Sequence, residues 1–391
     1  MRNTWIVLVV LLSGLLLPAT AGAEEDDFGQ DELVERQLER LGIDEIRMFW
    51  EEVIEEYEGF LPESQRGSFM DFIRGDKQFS PSEWITGLVR FLLNEIFANG
   101  KLLGNLVLLS ILSMVLAQLQ QAFEKHSISK VAYAIAYMVL LIIALNSLYV
   151  AMDYVQKTIQ TMSDFMIALV PLLLVLVASI GGVTSVALFH PIIMFLVHAS
   201  GVFVQYIVLP LLFLSTLLFI ISTMTEHYKV TKLAEFLRNI AVGSLGIFLT
   251  VFLGVLSVQG ATAAVADGIA VRTAKFVTGN FIPVVGRMFT DAADTVMGAS
   301  ALVKNTVGVV GLVILFLICT FPALKVLAMS LIYSFTAAIL QPLGGGPIIQ
   351  CLSIIGKSVM FIFAALAAVS MMFFLSITII VVSGNLSLMM R

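Results

Sequence analysis

Cysteine and charge are both scarce in this chain of 391 residues. Its two cysteines are Cys319 and Cys351, and charged residues make up only 13% of the sequence. Disulfide frameworks and cysteine-based metal sites need more cysteines at closer spacing, so both are interpreted as ordinary buried thiols. No basic cluster with interleaved aromatic residues occurs, which argues against binding to nucleic acid.

Catalytic and nucleotide-binding motifs are also missing. The sequence has no H-E-x-x-H, no G-x-S-x-G and no Walker A motif. His190 and His198 lie eight residues apart, on similar faces of a helix, but no carboxylate accompanies them. The glycine cluster between Pro342 and Pro347 lacks the Lys-Ser/Thr tail of a phosphate loop. We therefore predict a protein that is not an enzyme and that needs no cofactor or metal.

Long apolar runs dominate what the sequence does contain. Hydrophobic residues make up 59% of the chain, and the mean hydropathy is +0.98. No Lys, Arg, Asp or Glu occurs between Asp164 and Glu226, whereas about 20 apolar residues already cross a bilayer. The fold class is therefore predicted to be all-α, a polytopic membrane bundle.

About nine spans are predicted within residues 101–391, some of them broken or re-entrant because they are short. With the segment before residue 101 outside, nine crossings place Lys229, Lys232, Arg238 and Lys325 on the cytoplasmic side, as the positive-inside tendency asks. A single crossing by residues 191–224 stays open as an alternative. The predicted spans are Leu102 to Gln121, Val131 to Met152, Phe165 to Ala187, Pro191 to Tyr206, Ile207 to Met224, Ile240 to Ala264, Thr306 to Leu324, Val326 to Gln341 and Ser358 to Ser383.

The first 100 residues have a different composition. Residues 1–23 carry a basic start, an apolar core and a small-residue end, which predicts a signal peptide cleaved after Ala23. An uncleaved first transmembrane helix is the alternative. Residues 24–100 hold 20 acids and 7 bases, whereas residues 101–391 hold 8 acids and 14 bases. An acidic, extracytoplasmic segment thus precedes the membrane domain.

Amphipathic helices are predicted in this acidic segment. One apolar stripe runs from Val34 to Tyr57, and Gly42 divides its helix. A second helix starts at Ser80-Pro81-Ser82-Glu83, with Ser80 as the cap, and its apolar face runs from Trp84 to Ile96. Such narrow stripes favour packing on the membrane surface or on partner proteins, although a solvated hairpin that only holds the first span is the alternative.

Two stretches, Pro171 to Ser185 and Pro283 to Ser300, combine a proline with small residues and predict broken helices. An internal repeat, about 160–225 and 272–341, would explain the pattern, and paired breaks would point to a translocation path. Close helix packing by small residues is the alternative, and Asp291 and Asp294 are alternatively exposed loop carboxylates. The candidate positions are Pro171, Gly181, Gly182, Thr184, Ser185, Pro283, Asp291, Asp294, Gly298 and Ser300.

Several of these segments, in this order, resemble the stage III sporulation protein AE family of endospore-forming bacteria. The resemblance covers essentially the whole chain. Its residues are Met152-Asp153-Tyr154, Ala178 to Gly182, Glu226 to Asn239, Thr278 to Gly286, Asp291, Asp294, Gln341-Pro342 and Gly384-Asn385.

The resemblance implies a permease-like membrane subunit of a secretion or feeding channel, made by the mother cell in the membrane around the forespore. Its implied partners are a cytoplasmic ATPase, other membrane subunits, ring-forming proteins and a forespore-side protein, besides membrane lipid. A scaffold that anchors this complex without conducting, and an independent small-solute secondary transporter, are the alternatives.

Overall fold

The computed structural model of the chain describes residues 44–57, 59–61, 81–122, 127–224, 229–281, 285–343 and 346–389. A compact unit covers Leu41–Arg391. The described residues all belong to this unit. The predicted signal peptide, its cleavage after Ala23, the division at Gly42 and the cap at Ser80 lie outside the described residues.

Every regular element in these ranges is helical. In chain order, the helices are α1 (Asp44–Tyr57), α2 (Pro81–Ala98), α3 (Gly100–Ala122), α4 (Ser127–Ser179), α5 (Val183–Phe203), a π turn (Val204–Val208), α6 (Leu209–Met224), α7 (Thr231–Phe281), α8 (Val285–Leu340), a 3-10 turn (Gln341–Leu343) and α9 (Pro347–Met389).

Within the described ranges, five helical segments are long and apolar enough to cross a membrane, so the chain is a multi-pass membrane protein. Helices α2 and α3 meet at a bend of 47° and add a sixth if they form one broken span. The prediction of an all-α membrane bundle is thus confirmed. The five segments are Ala134–Ser179, Val183–Thr223, Thr231–Ala270, Met297–Leu340 and Pro347–Asn385.

Nine spans are not confirmed, because three pairs of predicted spans are continuous. The polar stretch Asp153 to Asp164 was expected to be a loop, but it contains no Gly or Pro and continues α4. Its polar side chains pair along the helix surface, with Lys157 Nζ 2.7 Å from Asp153 Oδ2. Helix α8 likewise continues through Lys325, because a single charged residue does not break a helix.

The third pair of predicted spans, Pro191 to Tyr206 and Ile207 to Met224, is joined through the π turn Val204–Val208. The backbone N–H of Leu209 donates to the carbonyl of Val204, five residues back. Pro210 has no N–H, and its ring would crowd the carbonyl four residues earlier in a regular α-helix. A wider turn relieves that contact, so the proline changes the helix without ending it.

Helix α9 lies at the centre of the bundle and packs against α8, α4, α7 and α6. One row of its buried positions alternates spacings of three and four residues, the repeat with which two helices pack along their length. These positions are Leu352, Ile355, Val359, Ile362, Leu366, Val369, Phe373, Ser376, Ile380 and Ser383.

A glycine of α9 marks one of these close contacts. A Cβ on Gly356 would lie 2.6 Å from Ser334 Oγ and 3.1 Å from Ser334 N, whereas a Cβ on Gly254 would meet nothing within 4 Å. We expect Gly356→Ala to lower the free energy of unfolding by about 1–3 kcal/mol. Gly254→Ala should leave it unchanged or raise it by up to about 1 kcal/mol. Chemical denaturation in detergent measures both, and equal losses would contradict the packing.

Helix α1 lies against the middle of α4 and α8. Its buried side chains are Ile46, Trp50, Val53 and Tyr57. Phe49 meets the edge of Phe165 with ring centroids 5.4 Å apart, and Tyr57 stacks on Phe321 at 4.0 Å. Burial, helped by the Glu56 carboxylate, raises the pKa of Tyr57 above its usual range.

This position of α1 corrects the predicted topology. Lys325 Nζ lies 3.4 Å from Glu56 Oε1, although the nine-crossing arrangement places the two residues on opposite sides of the membrane. Two atoms this close cannot be separated by a hydrocarbon layer about 30 Å thick. The arrangement was wrong for this pair, because α8 is one continuous helix where two crossings were expected.

Candidate functional site at the interrupted helix

The helical chain is interrupted by a turn between α4 and α5, which run antiparallel: a Cβ on Gly201 would lie 3.1 Å from Ser163 Oγ, and Gln205 Nε2 donates to the Gln156 carbonyl at 3.2 Å. Helix α4 ends at Ser179 and α5 begins at Val183. The backbone N–H groups of Gly181 and Gly182 donate to the carbonyls of Ala178 and Val177, each at 2.9 Å. These bonds satisfy carbonyls at the end of α4 that have no partner within the helix.

Both glycines are needed for this turn. Gly181 has a φ of 89°, in the left-handed region that side chains with a Cβ disfavour. A Cβ on Gly182 would lie 2.6 Å from Val177 Cγ1 and 2.8 Å from the Val177 carbonyl oxygen. The small-residue patch therefore has a defined purpose, which is to end one helix and start the next within three residues.

Gly181→Ala is expected to lower the free energy of unfolding by about 1–2 kcal/mol, because alanine must take up the left-handed conformation. Gly298→Ala is the matched control, since a Cβ on Gly298 would meet nothing within 4 Å. Denaturant titration of the purified variants measures the difference. A loss confined to Gly298→Ala would contradict the assignment of strain to position 181.

Asp267 of α7 caps the N-terminus of α5. Its Oδ1 accepts the backbone N–H groups of Thr184 at 3.0 Å and of Ser185 at 3.1 Å, and the residue is fully buried. A helix N-terminus leaves N–H groups without partners and carries a partial positive charge. A carboxylate from another helix thus provides the acceptors that α5 itself does not supply.

Lys304 of α8 is a second fully buried charge at the same end of the bundle. Its Nζ donates to the carbonyl of Val381 at 2.9 Å and to Asn385 Oδ1 at 2.7 Å. A Cβ on Gly384 would lie 2.6 Å from this Nζ and 3.3 Å from Ile180 Cδ1. The ammonium group therefore lies beside the interruption between α4 and α5.

We call Ser185, Asp267, Lys304 and Asn385 the buried polar cluster. No ion pair of 4 Å or less joins Asp267 to Lys304, and both are described side chains with other partners. Two opposite charges are thus held inside an apolar bundle by hydrogen bonds to backbone and amide groups. Ionisable residues placed in this way typically lie on ion or substrate pathways in membrane proteins, because burial of a charge is otherwise costly.

The structure brings four of the ten predicted site residues together, namely Gly181, Gly182, Thr184 and Ser185. Pro171 lies inside continuous α4, so the helix is not broken at the proline but eight residues later, after Ser179. Ser300 is buried on α8, one turn from Lys304, whereas Gly298 has open space around it.

The second predicted break falls between α7, which ends at Phe281, and α8, which begins at Val285. Pro283 and the side chains of Asp291 and Asp294 lie outside the described residues. The predicted internal repeat and the predicted translocation path stay predictions.

Sequence analysis missed Asp267 and Lys304 as site residues, because both lie between the predicted spans Ile240 to Ala264 and Thr306 to Leu324. A signal was present, because Asp267 is the first charged residue after Arg238 in an otherwise uncharged run. Its partners are 83 and 82 residues earlier in the chain, and sequence spacing within one helix cannot reveal such a contact.

No cluster of three or more His, Cys, Asp or Glu side chains that could hold a metal occurs within the described ranges. His190 and His198 are both exposed on α5. Cys319 has Ser370 Oγ at 2.6 Å, and Cys351 is buried. The chemistry of this site is therefore carried by one carboxylate, one ammonium group and the backbone of an interrupted helix.

Comparison with known proteins gives two matches. The family profile of stage III sporulation protein AE matches residues 64–384, a range that includes Gly181, Asp267 and Lys304. The curated protein "Stage III sporulation protein AE" of Bacillus subtilis (strain 168) is 57% identical over 397 residues, covering 100% of both chains. No solved structure matches.

Proposed function

We propose that this chain, which belongs to the stage III sporulation protein AE family, is the permease-like membrane subunit of a multi-protein channel needed for endospore development. Family membership supports a role in sporulation alongside other stage III proteins. The proposal adds that the subunit is not an enzyme and acts in the mother-cell membrane around the forespore. It depends on a cytoplasmic ATPase, other membrane subunits and ring-forming proteins.

The observation that carries this proposal is the buried polar cluster at the turn between α4 and α5. Ionisable residues buried within a membrane bundle typically mark ion or substrate pathways. Asp267 and Lys304 put both signs of charge at this position, 0% exposed in this conformation. A path would open by separating α5 from α7 at the Asp267 cap.

A scaffold that anchors the complex without conducting is the second candidate. It is favoured by the complete burial of Asp267 and Lys304 and by hydrogen bonds that already satisfy the backbone at the interruption. In that case the cap serves only to join α5 to α7. An independent secondary transporter differs from both, because it predicts solute flux in proteoliposomes that contain this chain alone.

Cysteine accessibility tests the channel against the scaffold. Cys319 and Cys351 are first replaced by alanine, and single cysteines are then introduced at Ser185 in the cluster, at Ser376 in the core of α9 and at exposed Val183. Sporulating cells are treated with a membrane-permeant thiol reagent and, in a parallel sample, with a charged one.

For a channel, the charged reagent should reach position 185 much faster than position 376 when all partner proteins are present, and this difference should disappear without the ATPase. Position 183 controls for reagent delivery. Protection of position 185 as complete as that of position 376, under every condition, would support the scaffold and overturn the channel.

A further inference from the structure

We propose that the Oδ2 atom of Asp267 is a binding site for one small positive charge, supplied either as a proton or as Na⁺. The function of this site rests on the proposed permease role, because a membrane permease needs a coupling ion or a gate. Its geometric support is separate from that role and comes from the buried polar cluster alone.

The two oxygens of Asp267 have unequal surroundings. Oδ1 accepts two backbone N–H groups, whereas Oδ2 is buried and has no hydrogen-bond partner. Ser185 Oγ, on the helix that Asp267 caps, is also buried without a partner. A carboxylate oxygen in an apolar interior is costly unless a donor or a cation faces it. The missing partner of Oδ2 must therefore be positive or must be a proton donor.

A further oxygen lies close to Oδ2, the Val177 carbonyl that accepts the N–H of Gly182. The position that a Cβ of Gly182 would occupy lies 2.8 Å from the Val177 carbonyl oxygen and 3.2 Å from Asp267 Oδ2. Carboxylate, hydroxyl and backbone carbonyl oxygens are the groups that hold Na⁺ or a proton in membrane transporters.

No cation of this chain fills the space among the described side chains of the neighbouring helices. Lys304 of α8 donates to Val381 and Asn385, and Lys325 pairs with Glu56. On the other helices that pack against α7, the described His, Cys, Lys and carboxylate side chains are His190 and His198 on α5, both exposed, and exposed Lys357 and buried Cys351 on α9. The charged residue of α4 that is nearest to the turn in sequence is Asp164, which is exposed. The positive charge is consequently expected to come from solution.

Thermal unfolding of the full chain in detergent tests the site. The midpoint is measured at constant ionic strength while NaCl replaces choline chloride, and separately across a pH series without Na⁺. The variants are Asp267→Asn, which keeps an oxygen for the two backbone N–H groups and places an amide NH₂ at Oδ2, and Asp164→Asn. The second is the matched control, because Asp164 is an exposed carboxylate on α4.

If Na⁺ is the ligand, the midpoint of the unchanged chain should rise by roughly 1–2 °C for each tenfold increase in Na⁺ above its dissociation constant. If the proton is the ligand, the midpoint should rise as the pH falls and should not depend on Na⁺. In either case Asp164→Asn keeps the response and Asp267→Asn loses it. A response that Asp267→Asn retains, or an unchanged chain that responds to neither, overturns the proposal.

Ser185→Ala gives a second measurement if Asp267→Asn does not fold. Loss of the hydroxyl should weaken the Na⁺ response and leave a proton response unchanged, whereas a Na⁺ response of full strength would exclude Ser185 from the site. Because these measurements use the isolated chain, they are independent of the channel. Ion binding without reagent access to position 185 would overturn the channel proposal and leave the ion-binding proposal standing. Reagent access without ion binding would overturn the ion-binding proposal alone.

Discussion

Asp267→Ala is expected to lower the free energy of unfolding by about 2–4 kcal/mol, because it leaves the backbone N–H groups of Thr184 and Ser185 buried without an acceptor. The loss also removes the negative charge that faces the N-terminal dipole of α5. Denaturant titration in detergent measures the change. Heat-resistant spore counts in a strain that carries the variant measure its effect on function.

Asp267→Asn tests the negative charge of Asp267 separately from its role as the cap of α5. Asparagine keeps one side-chain oxygen for the two backbone N–H groups, so the free energy of unfolding should fall by about 1 kcal/mol or less. If the charge of Asp267 is needed for transport, spore counts should still fall with this variant. Spore counts restored to the unchanged level by asparagine would show that Asp267 is only a structural cap.

Exposed Asp164 provides the control for both substitutions, because Asp164 accepts one hydrogen bond from Gln160 on the helix surface. Asp164→Ala should change the free energy of unfolding by no more than about 0.5 kcal/mol. A loss as large as that of Asp267→Ala would show that the measured effect does not come from the cap.

Lys304→Glu is the second substitution with a large expected effect. The new carboxylate would face the carbonyl of Val381, which can only accept, and its one possible donor would be the amide of Asn385 after that group turns over. An uncompensated charge in this fully buried position should lower the free energy of unfolding by about 3–5 kcal/mol. Reduced yield of folded protein and a low denaturation midpoint are the expected measurements.

Lys304→Met tests whether the positive charge has a function beyond stability. Methionine has a similar length and no charge to bury, so the variant should fold with a stability within about 1 kcal/mol of the unchanged chain. A permease-like role predicts that spore counts fall even though the protein is stable. Normal sporulation with Lys304→Met would instead make the ammonium group dispensable, which favours the scaffold.

Local sequence patterns predicted the parts of the fold that depend on neighbouring residues. The helical class, the buried stripe that includes Val53 and Tyr57 on α1, and the turn at Gly181-Gly182 all follow from spacing or from backbone conformation within a few residues. Trp50 is buried too, although the predicted stripe left it out. One helical turn contains the information for each of these features.

The number of spans could not be predicted in the same way. Polar residues such as Asp153 and Lys157 were interpreted as a loop, but they pair with each other on the surface of a continuous helix. Charge alone does not end a helix, whereas glycine and the loss of backbone hydrogen bonds do. Pro171 and Pro322 are likewise tolerated inside α4 and α8.

The buried polar cluster depends on contacts between distant parts of the chain. Asp267 reaches backbone groups more than 80 residues earlier, and Lys304 reaches Asn385, 81 residues later. Each charge looks like the end of a loop when its own neighbours are the only guide. Tertiary packing alone shows that both charges face the same interruption.

The lengths of the five apolar segments have a consequence for how the protein is surrounded. Segments of 39 to 46 residues rise about 60–70 Å at 1.5 Å per residue, and the oily layer of a bilayer is only about 30 Å deep. The exposed apolar side chains of these segments, such as Phe195 and Val258, each 69% exposed, therefore cannot all contact lipid chains at once. Part of each segment must therefore extend beyond the hydrocarbon core, or the helices must tilt strongly within it.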